Sequence, residues 1–278
     1  MIAEFLIFLR EGLEGSMIIS ILLASLRQIG QPERTREVWW GVAAALVVAF
    51  SGGVLVYVAL HAYSGTPLQT AIEGCTYLLA AAALTYMTFW MRQESTHLRG
   101  DLGAQTRRAV ESHGRWAIVG LAFVTVAREG LETVVFSLAI ALAAVAWQVV
   151  VGALVGLVVA LSISRAIYGL GVKVNLQRFF ALMGSLLMVT GAGLLADAVE
   201  DYQQLGWLPG GHSVLWSTAL FLPEQSFWGD LAHTFVGYAA APTVLQLGVW
   251  TVYLVFVLSF WLKRRPRLSV PELSRVEP

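Results

Sequence analysis

For a chain of 278 residues there is little charge and almost no cysteine. Asp, Glu, Lys and Arg make up 13% of the residues, about half the share of a soluble domain, which excludes an ordinary water-soluble fold. The single cysteine, Cys75, excludes a disulfide within the chain and any multi-thiolate metal site. No Gly-rich phosphate loop is present, so ATP hydrolysis by this chain is not expected, and no nucleic-acid partner is expected either. Alternating apolar and polar strands are also missing, which argues against a lipid-embedded barrel. What the chain has instead is apolar length: 57% of its residues are hydrophobic and its mean hydropathy is +0.70.

Seven apolar stretches are long enough for a hydrocarbon core about 30 Å thick, which takes about 20 helical residues. They run over 5–26, 38–60, 71–91, 116–140, 147–167, 179–199 and 243–262. A helix satisfies its own backbone in lipid, so the expected fold class is all-α, a polytopic membrane protein with seven transmembrane helices. The first stretch holds Arg10, Glu11 and Glu14 in its interior and lacks a basic start, so it reads as a mature helix rather than a signal peptide.

Lys and Arg are also missing from one whole side. Arg27, Arg34 and Arg36 follow the first span, and Arg92, Arg99, Arg107, Arg108 and Arg115 lie between the third and fourth. Arg165, Lys173 and Arg178 lie between the fifth and sixth, and Lys263, Arg264, Arg265, Arg267 and Arg275 follow the seventh. The positive-inside rule makes that side cytoplasmic, with the amino terminus outside and the carboxyl terminus inside. The opposite side carries Glu4, Glu73, Asp197, Glu200, Asp201, Glu224 and Asp230, an acidic surface that concentrates cations at an entrance. For most of these acids simple solvation is the plainer reading; Asp197 and Glu200, at a span end, stand out.

Inside the apolar stretches one pentapeptide, Arg-Glu-Gly-Leu-Glu, occurs twice, from Arg10 to Glu14 and from Arg128 to Glu132. A charge near the bilayer centre costs roughly 2.5 to 3.5 kcal/mol on insertion scales, so it is normally kept for a function. Weaker echoes follow each copy: Gly41 with Gly152, and Leu68-Gln69 with Leu176-Gln177. Spans one to three (about 1–91) therefore resemble spans four to six (about 116–199). Because three is odd, the copies cross the membrane in opposite directions, the inverted repeat of many transporters. One membrane domain is expected over 1–262, with an outer loop at 200–242 and the seventh helix at 243–262 outside the repeat. A basic cytoplasmic tail follows at 263–278.

At about 100° per residue, Arg10, Glu11 and Glu14 share one helix face, as do Arg128, Glu129 and Glu132. If the first and fourth helices pack together, four carboxylates converge, with Gly12, Gly15 and Gly130 allowing close approach. Carboxylates are hard donors for hard cations, and four Glu against two Arg leave a surplus of two negative charges. The plain structural reading is a pair of intramembrane ion pairs acting as glue; against it, each Arg has two Glu. An intramembrane enzyme would need a nucleophile or a His cluster at membrane depth, and none is visible. His61, His212 and His233 on the outer side are candidates for metal capture, though lone histidines are mostly solvated. His97 and His113 belong to the basic inner loop. Met17, Met87, Met91, Met183 and Met188 read as packing.

The doubled pentapeptide in the first and fourth of seven spans resembles the oxidase-dependent iron transporter family, the iron permeases of fungi and the bacterial EfeU permeases, over residues 1–262. The resemblance implies an iron permease of the cytoplasmic inner membrane, not an enzyme and without a cofactor, that moves iron from outside into the cytoplasm. It assigns Glu11, Glu14, Glu129 and Glu132 as iron ligands and Arg10 and Arg128 as their motif partners. Fungal members carry an outer Asp-Ala-Ser-Glu motif after the sixth span; Asp197-Ala198-Val199-Glu200 is similar but departs at the third residue. Glu73 has Ala181 as its repeat counterpart and is a candidate entrance ligand. A permease for another heavy metal such as lead is the alternative. Besides iron and membrane lipid, the resemblance implies periplasmic iron-binding or iron-oxidising partner proteins.

Overall fold

The computed structural model describes residues 1–62, 65–94, 98–111, 115–143, 146–169, 176–210, 213–224 and 226–263. His97, His113, Lys173, His212 and the tail beyond Lys263 lie outside the described residues.

The apolar stretches become helices that run one to five residues past the expected ends, except that the last begins one residue later than expected. They are α1 (Ile2–Gln28), α2 (Thr35–His61), α3 (Pro67–Glu94), α5 (Arg115–Ala143), α6 (Ala146–Gly169), α7 (Leu176–Gln204) and α9 (Val244–Lys263). Two shorter helices join them: α4 (Leu98–Glu111) in the basic segment and α8 (Phe227–Val236) in the 200–242 loop. Among the described residues there is no strand, only an isolated antiparallel bridge between Val214 and Thr243. Breaks fall where the chain chemistry requires them. Gly30, at φ 78°, ends the run after α1, and Pro32 opens a short 3-10 turn into α2.

Among the described residues, four helical segments are long and apolar enough to cross a membrane by length and composition: Pro32–Ala59, Pro67–Phe89, Trp147–Ile167 and Ala181–Gln204. The outward faces agree with that reading. Leu46, Val47, Phe50 and Leu55 on α2, and Val150, Leu154, Val158 and Leu161 on α6, are all exposed, an arrangement that suits hydrocarbon and not water.

The helices pack chiefly in pairs: α2 with α5, α1 with α6, and α3 with α7, followed by α7 with α9 and α1 with α5. Two close approaches explain the first two pairs. A Cβ at Gly41 would collide with the Val119 carbonyl oxygen and Ala122 of α5, and one at Gly152 would collide with the Met1 carbonyl oxygen and Glu4. Further along the same pairs, the Cβ of Ala160 would lie 2.8 Å from one built on Gly12, and the Cβ of Ala49 would lie 2.8 Å from one built on Gly130. The glycines of the two pentapeptides thus bring α1 onto α6 and α5 onto α2. The expectation that they serve the α1–α5 contact is corrected, because Gly12 and Gly130 lie on helix faces turned away from that seam, and Gly15 has nothing within 4 Å of a built Cβ.

Between the pairs lie apolar clusters. One joins Ile7, Tyr77, Leu84, Met87, Phe136 and Leu187; another joins Ile18, Leu22, Val42, Leu102 and Ile118. Met87, Met183 and Met188 are buried among core residues, as packing methionines should be.

Candidate metal centre

The face rule for the pentapeptides positions the site. On α1, Arg10 Nη1 donates to Glu11 Oε1 at 3.2 Å, and Arg10 Nε lies 3.2 Å from Glu14 Oε1. The i to i+4 spacing of Arg10 and Glu14 is one helical turn, so the second contact follows from the backbone alone. On α5 the same pattern recurs. Arg128 Nε donates to Glu132 Oε1 at 3.1 Å and lies 3.5 Å from Glu129 Oε1.

Because α1 and α5 are in contact, the two motifs meet. Glu11, Glu14 and Glu129 each offer a carboxylate oxygen within 4.8 Å of the others, and all three residues are buried. Glu132, with 25% side-chain exposure, stands beside this triad rather than in it. Its charge acts on Glu14 and Glu129. Of the four carboxylates expected to converge, Glu11, Glu14 and Glu129 are the three whose oxygens lie this close, and Glu132 pairs with Arg128 beside them. Three oxygens of the triad, Glu11 Oε2, Glu14 Oε1 and Glu129 Oε2, are buried without a hydrogen bond, as is Glu132 Oε2; of these, Glu14 Oε1 has the Arg10 guanidinium 3.2 Å away. Arg10 holds the first oxygen of Glu11 and leaves the second, so the cluster keeps hard-donor capacity even while paired. Buried carboxylate oxygens without donors are costly, and a cation is the group that would relieve them.

The outer acids are elsewhere. Asp197 Oδ2 lies 3.3 Å from His233 Nε2 of α8. Glu200 accepts from Gln246 Nε2 of α9 at 2.9 Å, and Glu73 accepts from Gln69 Nε2 one turn earlier at 2.7 Å. These three are not brought together with the motif carboxylates. Tyr77 of α3, 5% exposed, is buried within range of the charges of Asp197, Asp201, Glu73 and Glu200. His233 also contacts the Tyr238 carbonyl, 2.9 Å from Nδ1. Burial alone would lower the pKa of His233, but the Asp197 carboxylate and these contacts outweigh it and raise the value to about 9.

Sequence reasoning left two features unplaced. A short surface helix is what the Pro- and Gly-rich 200–242 loop leads one to expect; that α8, capped by the Ser226 hydroxyl on Gly229 N–H at 3.0 Å, carries His233 to Asp197 is what the sequence left open, with the Ser at its start and Gly237 at its end as the available signals. Glu4 is 1% exposed, although it reads as an ordinary outer acid. Its spacing of seven from Glu11, two helical turns, was the available sign.

The chain was compared with known proteins. The iron permease FTR1 family matches residues 1–265. A ferrous iron permease EfeU of Yersinia pestis is 33% identical over 258 residues, covering 92% of this chain and 91% of that protein. The EfeU of Yersinia pseudotuberculosis is 34% identical over 254 residues, covering 90% and 88%, and that of Escherichia coli O157:H7 is 31% identical over 257 residues, covering 92% and 93%. No solved structure matches. With a family match over nearly its whole length, the chain belongs to the iron permease FTR1 family, and it is a membrane permease for iron rather than an enzyme.

Proposed function

We propose that this chain admits iron through the cytoplasmic membrane of a bacterium, from the outside inward, by way of the paired Arg-Glu-Gly-Leu-Glu motifs of α1 and α5. Ferrous iron is the form in the printed name of its relatives. The observation that carries the reading is the buried triad of Glu11, Glu14 and Glu129 beside Arg10. Three carboxylates and one guanidinium leave two surplus negative charges, which a divalent cation offsets at a depth where an uncompensated charge is expensive. Arg10 plays two parts: it offsets charge in the site between ions and holds Glu11 and Glu14 by one oxygen each.

The seven-span inverted repeat is part of this proposal. Exchanging α1 with α5, α2 with α6 and α3 with α7 turns the α1–α6 pair into the α5–α2 pair and returns the α3–α7 and α1–α5 pairs to themselves. All four are real contacts. The small-residue approaches obey the same exchange: Gly12 with Ala160 mirrors Gly130 with Ala49. Such a repeat puts a substrate site at the seam of its halves. Direction follows from the basic residues, which lie at the carboxyl end of α1 and the amino end of α5. Asp197, Glu200 and Glu73 then stand at the outer ends of α7 and α3 as capture groups, with iron-binding or iron-oxidising proteins as suppliers.

The test is uptake of radioactive iron by metal-starved cells that depend on this chain. Glu14→Gln is expected to stop uptake while the protein still reaches the membrane; normal uptake by that variant would refute the ligand assignment.

A further inference from the structure

The exchange that relates the two halves fails at one buried place. Glu4 of α1 and Ala122 of α5 occupy equivalent positions: each packs its Cβ against the equivalent glycine, Gly152 for Glu4 and Gly41 for Ala122. Ala122 is fully buried and apolar, as its surroundings demand. Glu4 is just as buried, at 1% exposure, yet neither of its carboxylate oxygens makes a full hydrogen bond. The side chain beside it is Ser137 of α5, placed as a weak hydrogen-bond donor to the Glu4 carboxylate, and the Met1 ammonium also acts on that carboxylate; the Ser137 hydroxyl is itself buried. The repeat counterpart of Ser137 is Ile19. Three donor oxygens therefore sit in one interior spot of one half, and the equivalent spot of the other half holds an alanine and an isoleucine.

The position of that spot matters. Glu4 and Glu11 are seven residues apart on α1, about 10 Å along the axis and on nearly the same face. Between them on that face is Ile7, and on α5 Phe136 lies between Glu132 and Ser137 along the chain. Ile7 and Phe136 are both 1% exposed and pack in one cluster with Tyr77 and Ala198. In sequence along α1, the oxygens of Glu4 and Ser137 thus stand on the far side of an apolar layer from the triad. Tyr77, in that same layer, is the residue that the charges of Asp197, Asp201, Glu73 and Glu200 reach.

From this we infer that Glu4 and Ser137 form a second cation-binding post, a transit site on the outer side of the Ile7–Phe136 layer, where a hard divalent cation stops before it reaches Glu11, Glu14 and Glu129. The inference rests on the transport reading above and adds a residue pair to it. A carboxylate and a hydroxyl are hard donors, too few to hold a dehydrated ion firmly, which suits a post that must release its cargo inward. The carboxylate of this post belongs to one end only, so the two ends of an otherwise exchangeable site differ: Glu4 and Ser137 stand on one side of the triad, and Ala122 and Ile19 hold the equivalent places on the other.

The experiment is initial-rate uptake of radioactive ferrous iron, held reduced with ascorbate, by the full chain in cells or proteoliposomes, with Glu14→Gln as reference. Glu4→Gln keeps the size and neutralises the charge. It is expected to raise KM by about five-fold, the size of one modest polar contact, while the maximum rate stays within about two-fold. Glu4→Asp is expected to restore most of that loss. An unchanged KM in Glu4→Gln alongside a dead Glu14→Gln would overturn the post and leave the transport reading standing. Normal uptake by Glu14→Gln would bring down the transport reading and the post together. If Glu4→Gln fails to reach the membrane, Ser137→Ala decides: a KM raised about three-fold supports the post, and an unchanged KM overturns it.

Discussion

The two copies of Arg-Glu-Gly-Leu-Glu are the same five residues in different surroundings. On α1, Arg10, Glu11 and Glu14 have side-chain exposures of 2%, 4% and 3%. On α5, Arg128 is 43% and Glu132 25% exposed, and only Glu129, at 7%, is enclosed. Both helices have several neighbours, α6, α5, α4, α2, α7 and α8 around α1 and α2, α1, α3, α4 and α6 around α5, so the difference lies in the immediate surroundings of each motif rather than in how many helices pack on it. Identical local chemistry therefore yields one enclosed half-site and one half-open one. A site meant to pass an ion needs that combination: donors dry enough to attract the ion, and one side loose enough to let it go.

The sharpest way to break this comparison is to remove one acid from each half. Glu11→Gln is expected to reduce iron uptake by about two orders of magnitude, since it removes a buried charge from the triad. Glu132→Gln, outside the triad, is expected to cost only about ten-fold, or about 1.4 kcal/mol. Equal losses in radio-iron uptake would erase the distinction between the halves.

Stability separates the two arginines next. Arg10→Gln strands two buried carboxylates and is expected to destabilise the protein by about 3 to 5 kcal/mol, the usual cost of breaking a buried pair. Arg128→Gln, with 43% of its side chain exposed, is expected to shift unfolding less than Arg10→Gln does. Thermal unfolding in detergent measures both, and similar shifts would contradict the burial argument.

Where the halves are alike, the prediction is equality. Gly12→Val and Gly130→Val each drive a side chain into an alanine Cβ only 2.8 Å from the added carbon. Each is expected to cost about 1 to 3 kcal/mol by overpacking. A large difference in their unfolding temperatures would count against the exchange of helix pairs.

The smallest expected effect concerns the outer loop. The folded pKa of His233, about 9, lies above its ordinary value near 6.5. A group whose folded pKa is raised adds stability that is complete below the unfolded pKa and lost as pH climbs through the folded one. Docking of α8 on α7 is therefore expected to be tightest below pH 6.5 and to loosen between about pH 6.5 and 9. Hydrogen exchange of the α8 amides measures it. In Asp197→Asn the dependence should flatten, and an unchanged profile there would remove the His233–Asp197 pair as its cause.

Much of this was legible in the residues, for stated physical reasons. Apolar runs about 20 residues long report long helices, and a charge inside them reports itself, so the helices α1 and α5 and the positions of both motifs on them could be read directly. The face shared by Arg10 and Glu14 is a property of helix geometry and needed no tertiary knowledge. What could not be read was set by tertiary packing. Nothing in the pentapeptide says that Gly12 turns to Ala160 of α6 rather than to α5, or that Glu132 is held by Arg128 just outside the triad. The α4 helix was hidden because its 14 residues are mostly polar, and burial of Leu102 and Thr106 depends on α1 and α5. Glu4 looked like a solvated acid because sequence reports the type of a residue near a span end and not its depth.

The measurement that bears most directly on the central claim is anomalous scattering at the iron edge from crystals of this protein grown with ferrous iron under reducing conditions. The account predicts a strong peak within coordination distance of Glu11, Glu14 and Glu129, between α1 and α5. Iron found only at the outer acids, with no peak between these three carboxylates, would contradict it.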